Sequence, residues 1–304
     1  MDRFQEMKVL LAVADACSLA GGAKRMGISP PSATRAIAAL EKRLGSLLLA
    51  RNTRSVRLTE AGKRYVDDCR RILLELEEAE ELAAGSHIQP RGNLTVTAPV
   101  MFGERFLMPL IKDYLCEHAE VTVNAVLVDR TVNLAEEGID VAIRIGRLPE
   151  TGVHALRVGE IRPVICASPA FLDGVGRPER PADLQAARTV VSSASPLLTR
   201  WEFDQPDGLC ALTPEPQLVV SSNQAAINAA CMGWGYTRVL SYQVADQVAS
   251  GELEIVLGAF VPYTLPVHIL YQSDRAAPAK VRTFVDHCYG RLNGHAALLA
   301  FGAQ

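Results

Sequence analysis

The stretch "ISPPSATRAIAALEKRLG", residues 28–45, sets short hydroxyl groups and a guanidinium in the first turn of an otherwise plain amphipathic segment. Ser29, Ser32 and Thr34 carry hydrogen-bonding groups on short stems, and Arg35 carries a planar fork of donors. Pro30 and Pro31 fit the opening positions of a helix, where a missing N–H costs nothing, and they join Ser29, Ser32, Thr34 and Arg35 as candidate DNA contacts. Such groups suit hydrogen bonds to base edges in a DNA major groove and charge pairing with phosphate. Ile37, Leu40 and Leu44 recur behind them at helical spacing and give the same helix an inward face. Each residue also has a plainer reading: Ser29 as a helix cap, and Arg35 as a solvated surface charge.

A second basic set lies in "LLLARNTRSVRLT", residues 47–59, where two β-prone runs flank the polar tip "RNTRS". That pattern predicts a hairpin whose Arg51 and Arg54 can grip flanking phosphates or a narrow minor groove. Catalytic and metal chemistry find no comparable pattern. His87, His118, His154, His268, His287 and His295 show no ligand spacing. The seven scattered cysteines contain no C-x-x-C, which argues against zinc and against a secreted disulfide framework. No P-loop, G-x-S-x-G or post-strand G-x-G-x-x-G occurs, and "GWG" at 233–235 reads as a turn. The expectation is a non-enzyme with no cofactor and no metal.

The elements that would position these groups begin with short helices. Phe4, Met7, Val9, Leu10 and Val13 mark the first; Ser18 caps a second over "LAGGAKRM", ended by Gly27; Ser29 caps the third, closed by Gly45. Helix, Gly-containing turn and helix form a helix-turn-helix. A long, capless helix follows in "EAGKRYVDDCRRILLELEEAEELAAG", residues 60–85. Its Tyr65, Cys69, Ile72, Leu73, Leu76, Ala79 and Leu82 suit either a two-helix seam or packing on the helix's own domain. "GSHIQPRGN" reads as a linker. From Leu94 short strands alternate with helices, including a helix at "TVNLAEEG", which argues for parallel α/β sheets.

Charge divides the same way. Residues 1–60 carry a net of +5, residues 61–86 a net of −3 and the remainder −5, within an overall −3 for 304 residues. A basic head on an acidic body suits a nucleic-acid-binding module joined to something else. No apolar run reaches the ~18 residues a membrane span needs. The amphipathic N-terminus does not resemble a signal peptide, so a cytoplasmic location without membrane contact is expected.

The run "FQEMKVLLAVADACSLAGGAKRMGISPPSATRAIAALEKRLGSLLLARNTRSVRLTEAG" resembles the winged helix-turn-helix of LysR-type transcriptional regulators. The likeness continues through "LTVTAPVMFGERFLMPLI", "LAEEGIDVAIRIG" and "AACMGWGY" and so covers nearly the whole chain. It implies an α+β multidomain protein: a winged helix-turn-helix at residues 1–60, a linker and dimerisation helix at 61–90, and an effector domain at 91–304. That last part would resemble type 2 periplasmic solute-binding proteins, with subdomains 91–162 plus 267–304 and 163–266, crossed near Arg162 and near Pro266. Implied partners are a double-stranded DNA operator, a small-molecule effector, RNA polymerase and further copies of the chain, as homodimer or homotetramer. Departures are Pro30 where the family often has Gln, which removes a bidentate adenine contact, Thr34-Arg35 in place of Ser-Arg, and two glycines in "GGAKRM", each expected to weaken its helix by roughly 0.5–1 kcal/mol.

In such sheets ligands sit beyond the carboxyl ends of strands. The first strand ends at Thr97-Ala98-Pro99, and a helix opens at Val100–Phe106, whose free N–H groups can hold a carboxylate. Thr97, Pro99, Val100, Met101, Phe102 and Gly103, with Arg144 and Gly146 at another strand end, are candidate effector contacts. Ser192, Ser193, Ser221, Ser222 and Asn223 end two more strands, and of these Ser192 and Asn223 are the principal candidates. Phe102 can equally be core, and the serines can be only helix caps. Two rivals remain: a solute-binding protein, opposed by the basic head, and a cysteine-based redox-responsive regulator of the same family.

Overall fold

A computed structural model describes residues 2–52, 55–83, 89–148, 153–194, 200–205, 208–261, 263–272 and 277–299. The chain divides into two compact units, Met1–Ile88 and Gln89–Gln304.

The first unit opens with α1 (Arg3–Asp15), α2 (Leu19–Arg25) and α3 (Pro30–Leu44). Each start is a local cap: Asp2, Ser18 and Ser29 accept from the backbone N–H of Gln5, Gly21 and Ser32. Gly45, at φ 65°, ends α3 in the left-handed conformation. Val9, Leu10, Val13, Ala23, Ala33, Ala36, Ile37 and Leu40 form the core between the three helices. The glycine pair that sequence treats only as a weakness has a packing reason. A Cβ on Gly22 would lie 2.5 Å from Cγ2 of Val13, so α2 approaches α1 this closely only with glycine there.

The hairpin β1 (Leu49–Asn52) and β2 (Ser55–Leu58) is antiparallel, Leu49 opposite Leu58. Buried Glu41 on α3 anchors its base: Oε1 accepts from the N–H of Leu48 (2.8 Å) and Leu49 (3.1 Å). Helix α4 (Glu60–Ala83) follows. Contrary to the sequence expectation it is capped: Thr59 Oγ1 accepts from Gly62 N–H at 2.9 Å while donating to the Leu47 carbonyl. The second hydrogen bond ties the cap to the hairpin base, a contact twelve residues away that sequence pattern does not display. Val66, Cys69 and Leu73 of α4 are buried, and Val66 and Cys69 join the head core, so the front of this helix packs on its own domain.

The second unit holds two five-stranded sheets. In chain order its elements are β3 (Gly92–Ala98), α5 (Val100–Phe102), a π-helical turn (Gly103–Leu107), α6 (Met108–Glu117), β4 (Val121–Leu127), β5 (Val141–Ile145), β6 (His154–Ile161), β7 (Pro163–Ala167) and α7 (Pro169–Val175). Then come β8 (Thr189–Ser192), β9 (Trp201–Gln205), β10 (Gly208–Leu212), β11 (Leu218–Val220), α8 (Asn223–Cys231), β12 (Tyr236–Leu240), α9 (Ala245–Ser250), β13 (Glu254–Val256), β14 (Leu265–Tyr271) and α10 (Ala279–Leu292). Strand order is β4-β3-β5-β14-β6 in the first sheet and β11-β8-β12-β7-β13 in the second. Purely parallel sheets are not what forms. β14 runs antiparallel to β5 and β6, and β7 antiparallel to β12 and β13.

Two local expectations change. "TVNLAEEG" forms a turn instead of a helix: Asn133 Oδ1 caps Ala135 N–H, and Gly138 at φ 64° stops the chain after about one turn. The chain leaves the first sheet at Arg162, between β6 and β7, and rejoins it at β14, which begins at Leu265 beside Pro266. The hairpin β9–β10, which buries Trp201 and Phe203, is an addition to the expected scheme.

Candidate nucleic-acid interface and effector site

Helix α3 sorts its side chains by face. Ala33, Ala36, Ile37 and Leu40 are buried, Ser29, Pro30, Pro31 and Arg35 are exposed, and Ser32 and Thr34 are partly exposed. The polar residues are joined to one another. Ser29 Oγ accepts from Ser32 N–H (3.3 Å) and lies 2.9 Å from Ser32 Oγ. Arg35 Nη2 donates to Ser32 Oγ at 3.3 Å, and Thr34 Oγ1 donates to the Pro30 carbonyl at 3.0 Å. Arg51 has its backbone in β1 opposite Val56, while its side chain, like all of Arg54, lies outside the described residues. Exposed Arg57 is carried by β2. Two residues the sequence reading passed over, Ala38 and Ala39, are exposed three and four positions after Arg35, on its side of the helix. The signal was available: apolar residues standing where the inward pattern of Ile37 and Leu40 leaves a gap.

In the second unit the candidates gather at the carboxyl ends of the strands, in two groups. Thr97 closes β3 and is fully buried; Oγ1 donates to the Val126 carbonyl at 2.6 Å, so this hydroxyl is committed to the neighbouring strand. Pro99 precedes α5. The Val100 N–H, expected to be free for a ligand anion, is instead bonded to Asp129 Oδ1 at 3.2 Å. Sequence reasoning missed Asp129; its position directly after the β4 run "VLV" is the signal that points to it. Burial holds the Asp129 carboxyl above the usual carboxylate range, against the lowering effect of the Val100 bond and with a smaller push from Glu104.

Phe102 is core. It is fully buried, its ring 4.8 Å from Phe106 and 5.7 Å from Tyr242. Gly103 is also spoken for, since a Cβ there would lie 2.3 Å from Leu127 Cδ2. Met101 is partly buried and packs against both the core of the first sheet and the Val164–Cys166–Ile227 cluster of the second. Two further contacts join the halves of this unit. Tyr242 meets Phe102 edge-on and Phe106 at a tilt, and Arg105 holds Asp246 in a fork at 2.7 and 2.9 Å.

Arg144 lies near the end of β5, opposite His268. Nη1 donates to the Arg130 carbonyl (3.1 Å), whereas Nη2 is buried without a hydrogen-bond partner among the described residues, and burial lowers the pKa of the guanidinium. Gly146, at φ 116°, donates to the Pro266 carbonyl.

On the second sheet Ser192 is opposite Val220, which brings the ends of β8 and β11 together. Ser192 Oγ accepts from Ala194 N–H, and Ser193 donates to the Val220 carbonyl. Ser222 caps α8, while Ser221 is the exposed residue ahead of it. Buried Asn223 has an Oδ1 without a partner among the described residues. The serines are therefore largely local caps, and Asn223 and Arg144 are the candidates with hydrogen-bonding capacity to spare.

The "LysR substrate binding domain" model matches residues 87–293, and the "Bacterial regulatory helix-turn-helix protein, lysR family" model matches residues 4–63. The chain is 30% identical to the HTH-type transcriptional activator AaeR of Escherichia coli over 287 residues, 94% of this chain and 93% of that protein. It is 28% identical to an HTH-type transcriptional repressor of Pseudomonas aeruginosa, across 94% of this chain and 91% of that one. The crystallised LysR-type regulator CrgA of Neisseria meningitidis superposes with a TM-score of 0.62 at 26% identity, covering 97% of this chain and all of that one. From its two matched domains and its full-length relatives, the chain belongs to the LysR family of transcriptional regulators.

Proposed function

We propose that this regulator binds a double-stranded operator through the first turn of α3 and the β1–β2 wing, and that a small molecule at the strand ends of the second unit alters that binding. The observation that carries the reading is the division of α3. Its apolar side is consumed by the head core, while Ser29, Ser32, Thr34 and Arg35 form a bonded polar surface left to water. Arg35 supplies charge to a phosphate or a fork to guanine, and Ala38 and Ala39 suit a thymine methyl. Arg51 and Arg54 of the wing would add backbone grip. The back of α4 would pair two heads in a dimer, with tetramers and contact to RNA polymerase as the higher assemblies.

For the effector, Arg144, Asn223 and Met101 are the best supported contacts. Val100 takes part only if the ligand displaces Asp129 or hydrogen-bonds to it. Linkage requires that the ligand bind the operator-competent and operator-incompetent states unequally. A cysteine signal has weaker support. Cys166 and Cys288 are buried, and burial pushes each thiol up to about 12, whereas oxidation begins from thiolate. Footprinting of the DNA beside its own gene, with the wild type and Arg35→Ala, tests the core of the reading. Loss of the footprint with an unchanged thermal transition is expected, and a footprint that survives the substitution refutes it.

A further inference from the structure

The recognition helix differs from an ordinary helix start in what its backbone can offer. A helix N-terminus usually presents up to four unpaired N–H groups, and these commonly anchor a phosphate. Here the first two helical positions are Pro30 and Pro31, which have no N–H. The third, Ser32 N–H, is taken by Ser29 Oγ, and the fourth, Ala33 N–H, donates to the Ser29 carbonyl at 3.1 Å. Helical positions 30–33 therefore have no backbone donor left for DNA, and of the N–H groups that a helix start leaves unbonded only that of the cap residue, Ser29, has no partner among the described residues.

The side chains are similarly committed. Thr34 spends its one O–H on the Pro30 carbonyl, leaving a methyl group and acceptor lone pairs. Arg35 is thus the main donor of this turn. Its guanidinium is held on one side by Ser32 Oγ, which is itself braced by Ser29 Oγ. A guanidinium has five N–H donors, so one bond to Ser32 leaves enough for a bidentate contact.

Resting on the DNA-binding reading above, we propose that Ser32 is a positioning residue: it orients Arg35 for sequence readout on a helix whose first four positions offer no backbone N–H to a phosphate. Specificity in this head then depends on the Ser29–Ser32–Arg35 chain of hydrogen bonds. Nonspecific affinity depends on other cations, such as those of the wing.

The test uses the full-length protein and a randomised duplex pool. Wild type selects a motif, and affinities for that motif and for a random-sequence duplex are then measured for wild type, Ser32→Ala, Ser32→Thr and Arg35→Ala. Ser32→Ala is expected to weaken motif binding by about 3–10-fold, the worth of one net hydrogen bond. Random-duplex affinity, salt slope and thermal midpoint stay at the wild-type level. Ser32→Thr restores motif binding because it keeps the hydroxyl, and Arg35→Ala loses more than Ser32→Ala. Wild-type motif affinity in Ser32→Ala, or equal losses on motif and random duplex, overturns the positioning role alone. Failure of the wild type to enrich any motif overturns the DNA-binding reading and this inference with it.

Discussion

Glu41 is the residue on which the geometry of the wing turns. Its Oε1 accepts the N–H groups of both Leu48 and Leu49, and all three residues are buried, with Leu48 and Leu49 only 1% and 2% exposed. Glu41→Ala leaves both donors facing apolar side chains. An unmet buried N–H costs about 1–3 kcal/mol, so two cost roughly 2–4 kcal/mol once local relaxation has recovered part of the loss. For a head of this size each kcal/mol lowers the midpoint by about 4–8 °C, which puts the head transition about 8–32 °C lower. Glu41→Gln keeps an oxygen able to accept both bonds and should cost about 1 kcal/mol, the charge assistance alone. The sharpest assay is amide hydrogen exchange on the full-length chain. Leu48 and Leu49 should exchange roughly 30–1000-fold faster in Glu41→Ala, while β3 and α10 amides keep wild-type protection. If Leu48 and Leu49 exchange at wild-type rates in Glu41→Ala, the carboxylate does not hold the hairpin base and the argument fails.

The second unit supplies three more tests. Phe102→Ala should lower its stability by about 3–5 kcal/mol, read as a urea-midpoint shift; a variant of normal stability that loses only ligand binding would make Phe102 a contact residue instead of core. The Asp129 carboxyl has a folded pKa above its unfolded one, so its favourable contribution is present below the unfolded value and disappears as pH rises through the folded value. Asp129→Asn should therefore gain stability relative to wild type as pH rises from about 4, and a gap that shrinks with rising pH contradicts the assignment. Mass spectrometry after brief alkylation of the native protein should label exposed Cys17, Cys116 and Cys210 and spare Cys166 and Cys288; rapid labelling of either buried thiol would revive a redox reading.

What the sequence displayed was largely what neighbouring residues decide among themselves. Ser18, Ser29 and Gly45 bound their helices by contacts within four positions, so the head was readable one residue at a time. Strand positions in the body were readable from β-branched runs, but their directions were not. Whether β12 runs with or against β7 depends on a connection that wraps around the whole second sheet. The hairpin β9–β10 was a missed opportunity, since "QPDG" at 205–208 is a familiar turn signal in sequence. The effector candidates suffered most. Val100 and Asp129 meet across 29 residues, and nothing near Val100 announces that its N–H is already bonded.

The π-helical turn at Gly103–Leu107 lies immediately ahead of Pro109, which has no N–H with which to continue an α-helical ladder. A bulge of this kind accommodates one surplus residue, and one residue of α-helix corresponds to about 100° of rotation. Removing a single residue from 103–107 would let the segment relax to regular α-helix while the residues on either side keep their facing, whereas the same deletion inside α6 would turn everything before it through roughly 100°. In that second case Met101 would leave the second sheet's cluster, and Phe102 would leave Tyr242. These five positions are thus a buffer for chain length, so a one-codon deletion here should do less harm than one in the regular helix that follows.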